Sequence, residues 1–369
     1  MNQLFRWDQT GLFLLALAAG ILPFAVPEVC AAALREGLTL CSGPLLLSLF
    51  PFLVVSRLLI QCPESDLLAL PFRLAAWGIG IRTPCAARVL CIGFLGGFAP
   101  AASAAAQAVR TGQLTAEEAD ALLPACICSG PSFVVLTVGQ SLLGSAELGV
   151  LLFASQITAN YLTAALLNRF AGVRSVKPGS AVPAFPAPPR LDEILADAAI
   201  TYCKLCGFIL FFRMLAAGAG ALLPAGAGTL CSVLLEVCSG CDLASRTGRW
   251  GSLLCCAALS VQGLSVLLQV RTICPPEMTL RPLYRARMLH LPLSLALFYL
   301  LLPGGEADVF STLPARVLLM RRVPPDCALL VFAVCCMAAC TLRSGIRQVE
   351  QKQMARNAGG CCINSKTLL

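Results

Sequence analysis

Two arginines stand inside apolar octets, where a charged side chain is costly. The octets are FLVVSRLL at 52–59, which carries Arg57, and FILFFRML at 208–215, which carries Arg213. An arginine in such a segment either extends its head to the membrane interface or is retained for a function. Because a planar guanidinium matches a carboxylate, the sharper hypothesis is that the two arginines attract an anion. The sequence leaves both interpretations open.

A carboxylate, Glu236, lies in the apolar stretch LLEVCSG at 234–240. An intramembrane carboxylate is a candidate proton carrier or a partner for a buried cation such as Lys204. A salt bridge that holds its segment closed is the alternative. The single histidine, His290, follows a basic run at the start of an apolar segment and is predicted to be interfacial.

Other chemistry has little support in the sequence. Most of the 21 cysteines sit in apolar segments, where thiols behave as small hydrophobes. With one histidine and no paired CxxC sets, a metal site is not predicted. The chain contains neither a Ser/His/Asp set nor a phosphate loop, so we predict neither an enzyme nor a cofactor.

The elements that position these residues belong to a polytopic membrane protein. The 369 residues are 58% hydrophobic and 12% charged, with a mean hydropathy of +0.81. Charge-free runs of about 20 residues are long enough to cross ~30 Å of hydrocarbon as helix. We predict an all-α fold with eight spans, at 11–33, 39–62, 119–144, 146–169, 199–219, 250–272, 286–303 and 325–342.

Two further apolar stretches, 87–109 and 226–245, are interrupted by glycine and are predicted to be re-entrant hairpins. Their breaks are placed at Gly96-Gly97 and Ser239-Gly240. The spans that follow them are interrupted by SGPSF at 129–133 and QGLSV at 262–266. In each half the order is an arginine octet, a broken hairpin, an interrupted span and a plain span. The halves are therefore predicted to be inverted repeats, as in many secondary transporters.

A helix broken at mid-membrane exposes unpaired N–H groups at the start of its second half, and the helix dipole there favours an anion. Four breaks converging would form one site. The alternative is that glycine and proline only kink tightly packed helices. The predicted site residues are Arg57, Arg213, Gly97, Pro100, Ser129, Gly130, Ser132, Glu236, Ser239, Gly240, Gln262, Gly263 and Ser265.

The net charge of +8 is scattered between apolar runs, which indicates membrane anchoring rather than nucleic-acid binding. If each hairpin returns to its own side, most basic residues, including the run Arg281/Arg285/Arg287, fall on the side of the termini. Both termini are therefore predicted to be cytoplasmic. The predicted parts are an N-terminal helix at 1–38, a repeat at 39–170, a proline-rich cytoplasmic linker at 171–190, a repeat at 191–303, a loop and last span at 304–342, and a basic tail at 343–369.

The residues of both halves carry a resemblance to a known family. It runs through LFPFLVVSRLL at 49–59, the segment 93–139 with GFLGGFAPA and SGPSF, CGFILFFRML at 206–215, LLEVCSG, LSVQGLSVLLQV at 259–270 and LYRARMLH at 283–290. In this order the motifs resemble the nucleoside-recognition or Gate domain of YlbJ-type sporulation integral membrane proteins. The likeness covers roughly residues 15–303. The chain departs from the family pattern at the hairpin tip, with Phe98-Ala99 before Pro100 instead of Gly-Tyr-Pro, and at Ile127, where an asparagine is expected.

The resemblance implies a protein of the bacterial cell membrane in endospore formers, in the mother-cell-derived outer forespore membrane. It also implies a fold similar to the Gate domains of concentrative nucleoside transporters. We therefore expect a transporter of a small anionic metabolite, with dipicolinic acid moving from mother cell towards forespore as the leading candidate. A coupling ion (H+ or Na+), the lipid bilayer and a second copy of the chain are the expected partners. A non-transporting scaffold for spore assembly and a nucleoside-type transporter are the alternatives.

Overall fold

The computed structural model describes residues 9–62, 65–172 and 191–302, and every regular element in these ranges is helical. Four helical stretches are long and apolar enough to cross a membrane, namely Pro27–Gln61, Ala146–Ala171, Leu191–Leu222 and Gly248–Ile273. The all-α class is thus confirmed for the described residues, and these stretches indicate an integral membrane protein. The linker beyond residue 172, the predicted span at 325–342 and the basic tail lie outside the described residues.

The N-terminal region forms three helices, α1 (Gln9–Ala25), α2 (Pro27–Ser42) and α3 (Pro44–Gln61). The predicted helix boundary at 33–39 is wrong, because α2 runs through it. The breaks fall at Val26 and Gly43, each directly before a proline. Proline lacks the N–H and has the fixed φ that suit the first position of a helix, so both prolines begin new helices.

The next helices form a hairpin and a broken helix. After the short α4 (Ser65–Leu68) and α5 (Leu70–Gly78), α6 (Pro84–Gly96) and α7 (Phe98–Arg110) pack side by side around Gly97. Each limb has 13 residues, or about 20 Å, which is shorter than the ~30 Å of a hydrocarbon core. Then α8 (Ala116–Cys126) ends before SGPSF and a π-helix (Ser132–Leu142) continues, followed by the unbroken α9 (Ala146–Ala171).

The same order of elements follows in the second half. These are α10 (Leu191–Leu222), α11 (Ala225–Leu235), α12 (Val237–Ser245), a 3₁₀ turn (Gly248–Trp250), α13 (Gly251–Val261), α14 (Gly263–Ile273) and α15 (Arg281–Leu301). The predicted break of the second hairpin at Ser239-Gly240 is wrong, since α11 and α12 meet at Glu236. Gly240 lies inside α12, where a Cβ would approach the Cα of Val233 to 2.8 Å. Its function is close packing of the two limbs rather than a break.

The long helices pack through small residues. The α9 helix lies against the π-helix, α8 and α15, and α10 lies against α2, α3 and α11. A Cβ on Gly139 of the π-helix would be 2.4 Å from the Cα of Gly149 in α9, so these backbones are in contact. Small residues at such interfaces let helices approach where apolar burial alone gives no preference for protein over lipid.

Candidate functional site

The four helix breaks lie in contact with one another. A Cβ on Gly97, at the tip of the first hairpin, would be 2.6 Å from the backbone nitrogen of Gly130. A Cβ on Gly263, in the second broken helix, would be 3.0 Å from the nitrogen of Glu236 at the second hairpin tip. The amide of Gln262 donates to the carbonyl of Ile127 over 3.4 Å and so joins the two broken helices. Each hairpin tip rests on a broken helix.

A cavity of about 60 Å³, which we name the central cavity, opens between these breaks. Both hairpin tips, the first break and α14 contribute to its wall, together with α3 and α10. It has room for several water molecules or a part of a small solute. The lining residues include four of the predicted site residues, Ser129, Gly130, Ser132 and Glu236.

The wall of the central cavity is mainly apolar, and the oxygen-bearing side chains in it are Ser129, Ser132, Glu236 and Gln269, with no basic side chain among the described residues that line it. Glu236 is 2% exposed, and its carboxylate accepts the N–H groups of Cys238 over 2.9 Å and of Ser239 over 2.7 Å. Gln269 of α14 donates to Ser265 over 2.8 Å, and the Oε1 atom of its side-chain amide is buried with no hydrogen-bond partner among the described residues. This set of oxygens is suited to a proton, a Na+ ion or a solute that donates hydrogen bonds.

The start of α12 is therefore already occupied by an anion of the chain itself. The sequence predicted that such a helix start would be free to bind an anionic solute, but Glu236 caps it. The predicted pairing of Glu236 with Lys204 is also absent from the described structure, because Lys204 lines a different cavity. Glu236 instead stabilises the start of α12 and faces the central cavity.

The two arginines of the octets form ion pairs outside the lining of the central cavity. Arg57 forms an ion pair with Asp197 of α10, and Arg213 pairs with Glu36 of α2 with an Nη2–Oε2 distance of 2.7 Å. Neither arginine is among the lining residues of that cavity. Both acidic partners are more than half exposed, at 60% and 65%. The expectation that Arg57 and Arg213 flank the cavity between the breaks is therefore not met.

The remaining predicted residues take supporting positions. Pro100 lies in α7 and is buried, close to Gly96 of the neighbouring limb. Ser239 donates its N–H to Glu236, and Ser265 accepts from Gln269. Gln262 adopts a left-handed backbone with a φ of 62°, which turns the chain from α13 into α14. Gly97, Gly240 and Gly263 provide the close contacts described above.

The main buried cation at the breaks, Arg287, was missed by the sequence analysis. Its side chain is 7% exposed and donates to the carbonyl of Ile127 over 2.7 Å, to that of Ser260 over 3.4 Å and to Asn160 over 3.3 Å. Ile127 and Ser260 belong to the ends of α8 and α13, where carbonyls lack helical partners and the dipoles are negative. Arg287 thus joins both broken helices. Its assignment to a basic run at the membrane surface is wrong.

His290 is likewise buried, with 0% exposure, and its Nε2 lies 3.2 Å from the carbonyl of Gln156. The interfacial position predicted for it is wrong. Gln156 in turn donates to Ser260 over 2.9 Å, so a polar network connects α9, α13 and α15 behind the breaks. The sequence contained a signal for this buried polar face, because Arg287, His290 and Ser294 recur at helical spacing and share one face of α15.

The described residues contain no group of three or more His, Cys, Asp and Glu side chains that could hold a metal ion. The site is a mainly apolar cavity at the backbone breaks, with polar groups supplied by serine and glutamine side chains and one carboxylate. Comparison of the chain with protein-family models, curated proteins and solved structures found no match.

Proposed function

We propose that this protein is a YlbJ-type sporulation membrane transporter that carries a small anionic metabolite, with dipicolinate as the leading candidate, from the mother cell towards the forespore. The observation that carries the proposal is that three helix breaks from both halves of the chain line one cavity and the fourth contacts two of them. Irregular backbone at membrane depth is tolerated where it is buried in protein or lines a cavity, and transporters bind their substrates at such places.

The architecture supports a proposal of two inverted repeats. A helix with an arginine octet, a hairpin, a broken helix and an unbroken helix appear in this order as α3 to α9 and again as α10 to α15. In the proposed arrangement eight spans cross the membrane, both termini are cytoplasmic and the hairpins enter from opposite sides. The contacts of Gly97 with Gly130 and of Gly263 with Glu236 are then equivalent gates. Opening one at a time would expose the cavity to one side.

The charge of the central cavity supports a role for a coupling cation. Glu236 would repel an anionic solute unless a cation accompanied it, because like charges close together in a low dielectric are strongly unfavourable. The oxygens of Glu236 and Gln269 could hold H+ or Na+. The proposed carrier therefore moves its anion together with at least one cation.

Gradient-driven uptake in proteoliposomes tests this role. We expect wild-type protein to accumulate radiolabelled dipicolinate under an inward Na+ or proton gradient, and Glu236→Gln to reduce the initial rate at least ~10-fold. The amide keeps one acceptor for the start of α12 but removes the charge that would bind the cation. Glu147→Gln is the matched control, since Glu147 is likewise an acidic residue at the start of a helix but is exposed. Gradient-dependent uptake by Glu236→Gln at the wild-type rate would contradict the role of Glu236.

A deletion strain separates transport from a scaffold role. Dipicolinate is measured separately in the mother cell and the forespore. A transporter defect leaves the compound in the mother cell, whereas loss of a scaffold gives no such accumulation. Normal dipicolinate in both compartments would exclude the proposed transport.

A nucleoside-type transporter is the second candidate, and the absence of a basic side chain among the central cavity's lining residues favours it. The hydroxyl groups of a ribose could donate to Glu236 and Gln269. Competition of dipicolinate uptake by excess uridine distinguishes the two. Strong inhibition by uridine favours the nucleoside, and no inhibition favours the anion.

A further inference from the structure

A second cavity of about 170 Å³, which we name the vestibule, lies beside the central cavity. Its wall is formed by the ends of α3, α7 and α14 and the early turns of α10. The charged and polar side chains that line it are Arg57, Arg110, Lys204, Asp197, Thr201, Thr272 and Ser103. In contrast to the central cavity, it contains basic side chains.

The vestibule has an excess of two positive charges, since three basic side chains face one carboxylate. Arg57 is paired with Asp197, and its Nε is buried with no hydrogen-bond partner in the described ranges of the chain. Within the described part of the chain, neither Arg110 nor Lys204 has a carboxylate at salt-bridge distance. Two cations are therefore available to a ligand.

The vestibule and the central cavity are adjacent along the same helices. On α14, Gln269 lines the central cavity and Thr272 lines the vestibule, three residues or about 5 Å further on. On α10, Ile209 lines the central cavity and Lys204 lines the vestibule, and the two residues lie about 8 Å apart along the helix axis. An anion in the vestibule would thus lie within about two helical turns of the cavity between the breaks.

We infer that the vestibule binds a small organic dianion, a dicarboxylate, ahead of the central cavity. Two excess positive charges match two carboxylates, and Arg57 presents a planar fork of donors. Asp197 then acts as a competing internal anion, which a bound dicarboxylate replaces at Arg57. The inference rests on the proposed function only in taking this dianion to be the transported solute.

Removal of the competing carboxylate gives the sharpest test. In isothermal titration of the purified full-length protein in detergent with pyridine-2,6-dicarboxylate, Asp197→Asn should lower Kd about 3- to 5-fold, because it raises the local charge and releases Arg57. A purely structural ion pair predicts no tightening. Unchanged or weaker binding in Asp197→Asn would overturn the inference.

Loss of a cation gives the opposite result. Lys204→Gln and Arg110→Gln should each raise Kd about 5-fold, and added salt should weaken wild-type binding. Arg73→Gln is the matched control, because Arg73 is an exposed arginine of α5 outside the vestibule. Equal Kd values for Lys204→Gln, Arg110→Gln and wild type would refute the assignment of the vestibule.

The titration is repeated in nanodiscs of phosphatidylcholine and of phosphatidylglycerol, to separate a free dianion from an anionic lipid headgroup. Binding of the dicarboxylate in both lipids supports the inference, and its loss in phosphatidylglycerol assigns the vestibule to the lipid. Dicarboxylate uptake is scored separately in proteoliposomes. Binding without uptake would refute the transport function alone, and uptake that Lys204→Gln and Arg110→Gln leave unchanged would refute the vestibule alone.

Discussion

Replacing Arg287 with methionine is expected to destabilise the folded protein by about 3–5 kcal/mol, because it leaves buried carbonyl groups without a donor. Arg287 donates to the carbonyl groups of Ile127 and Ser260, at the ends of two broken helices. Water cannot replace these bonds easily, since the side chain is 7% exposed. The two helix ends also lose the positive charge that balances their dipoles.

Thermal unfolding in detergent measures the effect, and Arg285→Met provides the control. Arg285 lies on the same helix, but it is exposed, so its substitution should change the stability by less than about 0.5 kcal/mol. Arg287→Lys should fall between the two, because a single ammonium group lacks the fork that reaches both carbonyls. Should Arg287→Met unfold at the same temperature as Arg285→Met, the joining of the two broken helices by Arg287 would be disproved.

Three of the four helix breaks could be predicted from the sequence, because their residues disfavour helix by themselves. Gly97, the SGPSF segment and Gln262-Gly263 are all breaks in the structure. The fourth was placed at Ser239-Gly240 because a glycine was taken as the break. Glu236 breaks the helix by a different means, since its carboxylate caps the helix that follows.

The site was harder to predict than the breaks, because its charges are paired between distant parts of the chain. The partners of Arg57 and Arg213 are 140 and 177 residues away in sequence. The apolar octet indicates that burying its arginine is costly. It does not indicate which carboxylate forms the ion pair with that arginine. Arg287 was misassigned for the same reason, since a buried cation that is balanced by helix ends has no acidic residue in sequence to reveal it.

Gly97→Ala is expected to be at least as damaging as Arg287→Met. We expect it to lower the free energy of unfolding by about 3–5 kcal/mol and to abolish uptake in proteoliposomes. The backbone of Gly97 has a φ of 79° and a ψ of −162°, a conformation that is essentially restricted to glycine. A methyl group there would also lie 2.6 Å from the nitrogen and 2.9 Å from the Cα of Gly130, and backbone atoms cannot turn aside as a side chain can. The hairpin tip would have to separate from the first broken helix.

Gly144→Ala separates the two causes. Gly144 also has a positive φ, of 74°, but a methyl group there meets no atom within 4 Å. It should therefore show the conformational cost alone, about 1–2 kcal/mol, and retain uptake. If both variants lost the same stability and both transported dipicolinate, the contact between the hairpin tip and the first break would have no energetic importance. If only Gly97→Ala lost transport, the contact that closes the central cavity would also be needed for its function.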